Sequence, residues 1–99
     1  MYVRLNLFTS GPGTRPAVER LIDQFAPLFR TAHGFRSVTF FGDDASGEYA
    51  SFSLWDTKAD AEAADAALLP QLRQAAAAAG LQFQGTPSLR IFEVIEPTA

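Results

Sequence analysis

Glu48-Tyr49-Ala50-Ser51-Phe52-Ser53-Leu54-Trp55, followed at once by Asp56-Thr57-Lys58-Ala59-Asp60, decides how this chain is read. Tyr49, Ser51, Ser53 and Trp55 fall on one side of a strand, and Ala50, Phe52 and Leu54 on the other, the period-2 pattern of a sheet. The pattern then breaks. Asp56 or Thr57 can cap a new helix, with Thr57 and Asp60 as a short-armed capping box, so the only tryptophan stands where strand gives way to helix. Such a corner is a natural pocket wall.

Upstream, Tyr2 to Thr9 alternates Val3, Leu5 and Leu7 against Tyr2, Arg4, Asn6 and Phe8, which predicts a first strand. Ser10-Gly11-Pro12-Gly13 reads as a loop, and Thr14 as the cap of a helix with Pro16 in its first turn. Val18, Leu21, Ile22, Phe25, Leu28 and Phe29 recur at helical spacing and give that helix one apolar stripe. Pro27 within the stripe predicts a kink near Asp23, and Gly34 a C-terminal cap. Phe35 to Phe41 is the second strand and Gly42 to Gly47 the turn that leads into the third. Downstream, an alanine-rich helix starts at Lys58, is predicted to split into two segments at Pro70, and closes at Gly80. Leu89 to Ile95 is the last strand.

Strand, helix, strand, strand, helix, strand is the α+β order of the ferredoxin-like βαββαβ fold, in which two helices cover one face of a four-stranded antiparallel sheet. Residues 1–99 are enough for one domain. No sequence remains to cover the sheet face bearing Val3, Leu5, Leu7, Phe52 and Leu54, so this face is expected to meet the same face of a second copy in a homodimer.

Composition narrows the chemistry. Cysteine is absent, which removes disulfides, thiolate metal sites and thiol nucleophiles and fits a cytoplasmic chain. One histidine and dispersed acids give no metal-ligand spacing, so no metal is expected. A net charge of −3 with scattered basic residues repels phosphate backbones, which argues against nucleic acid. An RNA-recognition domain shares the element order, yet Glu48 interrupts its signature around Gly47. No apolar run approaches the roughly 18 residues of a membrane span. Asp43 and Asp44 belong to a turn, where short acids bond their own backbone.

The candidate site follows from the helix-covered sheet face. Trp55 is accompanied there by Tyr49, Ser51 and Ser53, whose hydroxyls need partners that a polar ligand could supply, although a large aromatic at a strand end is equally a core residue. The alanines of the second helix leave space above them or else let helix and sheet pack closely. Arg4 and Asn6 on the first strand can orient a phenolate or carbonyl, or else stand at an edge or rim of the sheet, and Phe8 can hold a ring. His33, the one side chain that titrates near neutrality, is the default proton-transfer candidate, while its place at a helix end also suits a capping role.

His33-Gly34-Phe35, the central hairpin and Leu54-Trp55-Asp56-Thr57-Lys58 resemble the antibiotic biosynthesis monooxygenase family of the dimeric alpha-beta barrel superfamily, over nearly the whole chain. The resemblance implies a dimeric alpha-beta barrel. It also implies oxidation of an aromatic, polyketide-like substrate without metal or flavin, or haem breakdown as in related members. Trp55 matches the tryptophan of the polyketide pocket, and Asn6 a first-strand asparagine of the haem-degrading members. The chain departs from the pattern elsewhere: Ser51 replaces a strand-three asparagine, Ala61 stands where a tyrosine is expected, and no histidine lies between Lys58 and Gly80 to hold haem. Two functional readings stand. One is a small cofactor-independent monooxygenase with Asn6, Trp55 and Arg4 as catalytic residues and Phe8, Tyr49, Ser51, Ser53 and His33 binding substrate. The other is a non-catalytic dimeric barrel that binds a small apolar molecule.

Overall fold

The computed structural model describes residues 1–98 and has the expected order: β1 (Tyr2–Thr9), α1 (Arg15–Thr31), β2 (Phe35–Asp43), β3 (Glu48–Trp55), α2 (Lys58–Ala78) and β4 (Ser88–Glu93). The strands form one antiparallel sheet in the order β2-β3-β1-β4, the ferredoxin-like topology. β1 and β3 match their sequence alternation residue for residue. β2 extends to Asp43, beyond the Phe41 limit, because Gly42 and Asp43 still pair with Tyr49 and Glu48. β4 starts at Ser88 and stops at Glu93, short of Ile95, since Tyr2 and Glu93 are the last partners on its ladder with β1.

Neither proline divides its helix. α1 passes through Pro27 with Phe25 and Phe29 buried on either side of it, and α2 passes through Pro70 between Leu68, which is buried, and Leu72, which packs against the core. A proline removes one backbone hydrogen bond, but apolar anchors on both sides hold the two halves in one helix. The predicted split at Pro70 is therefore corrected to a single helix. Thr57 does cap α2, its hydroxyl accepting from the Asp60 amide at 3.1 Å. Thr14 does not cap α1 through its side chain; its hydroxyl donates to the Gly11 carbonyl at 2.8 Å and ties down the preceding loop. Gly34, at φ 77°, lies beyond the Ala32 cap, in a turn closed by the Phe35 amide on the Ala32 carbonyl. At the end of α2, Gly80 donates to Ala77 and Leu81 to Ala76, a Schellman closure that needs the glycine's positive φ.

Register decides which side chains share a face. Arg4 lies opposite Ser53 and Ile91, Asn6 opposite Ser51 and Leu89, and Phe8 opposite Tyr49, so all of these point toward the helices. The core there includes Val18, Leu21, Phe25 and Phe29 of α1, Tyr49 and Trp55 of β3, and Ala61, Ala64, Leu68 and Ala76 of α2. On the reverse face Leu7, Phe41, Phe52 and Phe92 remain exposed beside Val3, Leu5 and Leu54.

Candidate functional site

A cavity of about 280 Å³ lies between α1 and the helix-covered face of the sheet. Its floor carries Arg4, Asn6 and Ser51, polar groups buried within an otherwise apolar interior. Ile22, Phe25 and Phe29 of α1, with Leu72 of α2, form the roof, and Phe8 and Tyr49 close one side. The exposed Arg15, Glu19 and Asp44 mark the mouth. Gly42 makes room beside it, because a Cβ there would run into the Tyr49 ring. A second, smaller cavity of about 50 Å³ adjoins the first across Asn6, Phe8 and Leu72.

Arg4 is 2% exposed, and its Nε donates to Asp65 Oδ1 of α2 at 2.6 Å. Its Nη1 is buried and has no hydrogen-bond partner among the described residues. The guanidinium also faces the Phe29 ring at 5.7 Å. At the mouth, Arg15 Nη1 bonds Asp44 Oδ2 at 2.9 Å, and this bond chiefly holds the Asp44 carboxyl below its usual range. Tyr49 donates to the other Asp44 oxygen at 3.1 Å; burial, and then this bond, push the phenol up.

The cavity thus gathers Arg4, Asn6, Phe8, Tyr49 and Ser51. It does not include the other three candidates. Trp55, whose sequence position suits either a pocket wall or the core, is wholly buried in the core, packed 5.6 Å from Phe35 and 6.3 Å from Phe29 between ring centroids. Ser53 is taken up in the same core: it accepts from Trp55 Nε1 at 3.0 Å and donates to the Arg4 carbonyl at 3.3 Å, so neither polar group needs a ligand. His33 projects into solvent, its side chain 94% exposed, with Nδ1 at 2.7 Å from Asp60 Oδ1. The Asp60 hydrogen bond raises the histidine and lowers the carboxyl. It neither caps α1 nor reaches the cavity.

Two groups escaped the sequence reading, Asp65 and the Arg15–Glu19 pair, while Asp44, read as a turn acid, proves to line the cavity as well. A signal for Asp65 was present, since it lies four residues after Ala61 and three before Leu68, on the stripe of α2 that is buried. An arginine on the helix-covered face of β1 requires a carboxylate from just such a position.

No protein-family model matches the chain, and no curated protein matches its sequence. Solved structures do. SnoaB, a cofactor-independent oxygenase from Streptomyces nogalater, superposes with a TM-score of 0.72 at 21% identity, over 97% of this chain and 94% of that one. Rv0793 from Mycobacterium tuberculosis gives 0.75 at 16% identity, over 99% and 98%. A crystal structure of an antibiotic biosynthesis monooxygenase gives 0.72 at 12% identity, over 97% and 100%. With both chains covered almost end to end, the architecture of this chain is the fold shared by SnoaB and the antibiotic biosynthesis monooxygenases.

Proposed function

We propose that the chain is a small oxygenase that acts on an aromatic, phenolic substrate without a bound cofactor. The observation that carries this reading is the cavity, an apolar chamber with Arg4, Asn6 and Ser51 at its floor. At about 280 Å³ it sits at the lower edge of the roughly 300–1,000 Å³ range of small-molecule sites, so it suits a compact ring system. Likeness in fold to a cofactor-independent oxygenase supports the same chemistry.

The ring of the substrate lies under Phe25 and against Phe8, with its oxygen toward Arg4 and Asn6. Donors fixed there stabilise negative charge as it develops on that oxygen, and do so strongly because the surroundings are apolar. The ionised ring is the reductant for dioxygen. A ring methylene becomes a carbonyl, one oxygen atom enters the product, and the other leaves as water with the two hydrogens removed. Substrate supplies all four electrons, so no protein redox group takes part. Purified protein incubated under air with anthrones and naphthols is expected to consume oxygen and form quinone. Binding of these compounds with no oxygen uptake would leave the chain a ligand-binding barrel.

The working unit is proposed to be a homodimer, formed through the reverse sheet face. Leu7, Phe41, Phe52 and Phe92 are each 39–51% exposed on that face, an apolar surface that a second copy would cover. Sedimentation at micromolar concentration is expected to give a dimer. A monomer would exclude this arrangement.

A further inference from the structure

We propose that Asp65 sets the specificity of the cavity: by holding and neutralising Arg4, it makes the floor a donor site for an uncharged carbonyl or phenol oxygen and turns carboxylates away. The inference rests on the cavity being a ligand site, as argued above. A guanidinium carries five N–H donors. The Asp65 bond engages Nε alone, and Arg4 lines the cavity, so the guanidinium keeps further donors for an acceptor at the floor; Nη1 itself is buried and unpartnered. A buried donor without an acceptor is costly, and a ligand oxygen placed there would relieve it.

The charge of Arg4 is another matter. Asp65 Oδ1, at 2.6 Å, already balances it. Around the mouth, Arg15 faces both Glu19 and Asp44, so with Asp65 counted the site holds two cations against three carboxylates. A carboxylate ligand would lose its hydration beneath Phe25 and Phe29 and find no net positive field in return. A ketone or phenol loses far less on entering and still accepts from the guanidinium. Substrate therefore enters uncharged, and negative charge on its oxygen arises only after binding, where the fixed donors act on it.

Asp65 also positions the guanidinium, since its bond to Nε and the Phe29 ring together restrict how the group can turn. A simple strut between α2 and β1 would explain the bond. It would not favour one ligand charge over another, and that separates the two roles.

Equilibrium dialysis with 2-acetylnaphthalene and 2-naphthoate, which share a ring system and differ in charge, tests the proposal at neutral pH. Wild-type protein is expected to bind the ketone at least about 10-fold more tightly than the carboxylate. Asp65→Asn keeps the shape and an acceptor for Nε but removes the negative charge. It is expected to shift the ratio by about 10-fold or more toward naphthoate. Because both probes are measured on the same protein, a loss of stability in the variant cancels from the ratio. Wild-type preference for naphthoate, or a ratio unchanged in Asp65→Asn, overturns the role of Asp65 while leaving the cavity a ligand site. If neither probe binds wild-type protein, the cavity reading falls and this inference with it. The wild-type ratio needs no variant, so a poorly folded Asp65→Asn does not shelter the proposal.

Discussion

Replacing Trp55 with alanine is expected to lower the free energy of unfolding by about 3–5 kcal/mol, as for large aromatic residues removed from packed cores. The indole is wholly buried between Phe29 and Phe35, so its loss leaves a void that rings held on a helix and on a strand cannot easily close. It also strips the Ser53 hydroxyl of the donor it receives at 3.0 Å. For a domain whose whole stability is on the order of 5–15 kcal/mol, this is a large fraction. Urea denaturation followed by circular dichroism measures it directly. A loss below about 1 kcal/mol would mean that the indole faces open space, and would return Trp55 to the cavity wall.

The second large effect concerns catalysis. Asn6→Ala is expected to reduce turnover of any substrate found in the oxygen-uptake assay by about 10²–10³-fold, the cost of removing one fixed donor from a site where negative charge develops. His33→Ala is expected to leave turnover near wild type, because its ring stands in solvent beside Asp60 and takes no part in lining the cavity. The two variants belong in one experiment. A collapse in the histidine variant with a near-normal asparagine variant would place the proton-transfer step at His33 and remove Asn6 from the chemistry.

The strands could be read from sequence because alternation is a local signal: Tyr2–Thr9 and Glu48–Trp55 have the same limits in the chain as in the sheet. Pro70 misled, since it carries a local preference for a break that the packing of Leu68 and Leu72 overrides. The site was readable only in part. Alternation puts Trp55, Ser53, Ser51 and Tyr49 on one face, yet it does not say where along that face helices close down. Phe29 and Phe35, both remote from the third strand in sequence, pack on Trp55 in the core, where the indole bonds Ser53, while Ser51 and Tyr49 stay beside open volume. Depth along a strand is a property of the packed molecule. The same holds for Asp44, which looks like a self-contained turn residue until Arg15, 29 positions earlier, is folded against it.

Every polar group at the floor of the cavity stands on β1 or β3, the two strands with a neighbour on each side. Amides in such strands exchange with solvent only when the whole domain opens, whereas a roof made of helix side chains can lift by local fluctuation. A compound could then enter and leave by breathing of α1 while Arg4 and Asn6 stay in register. The precision of the chemistry would draw on the stability of the entire fold, and the rate of access only on the looseness of one helix.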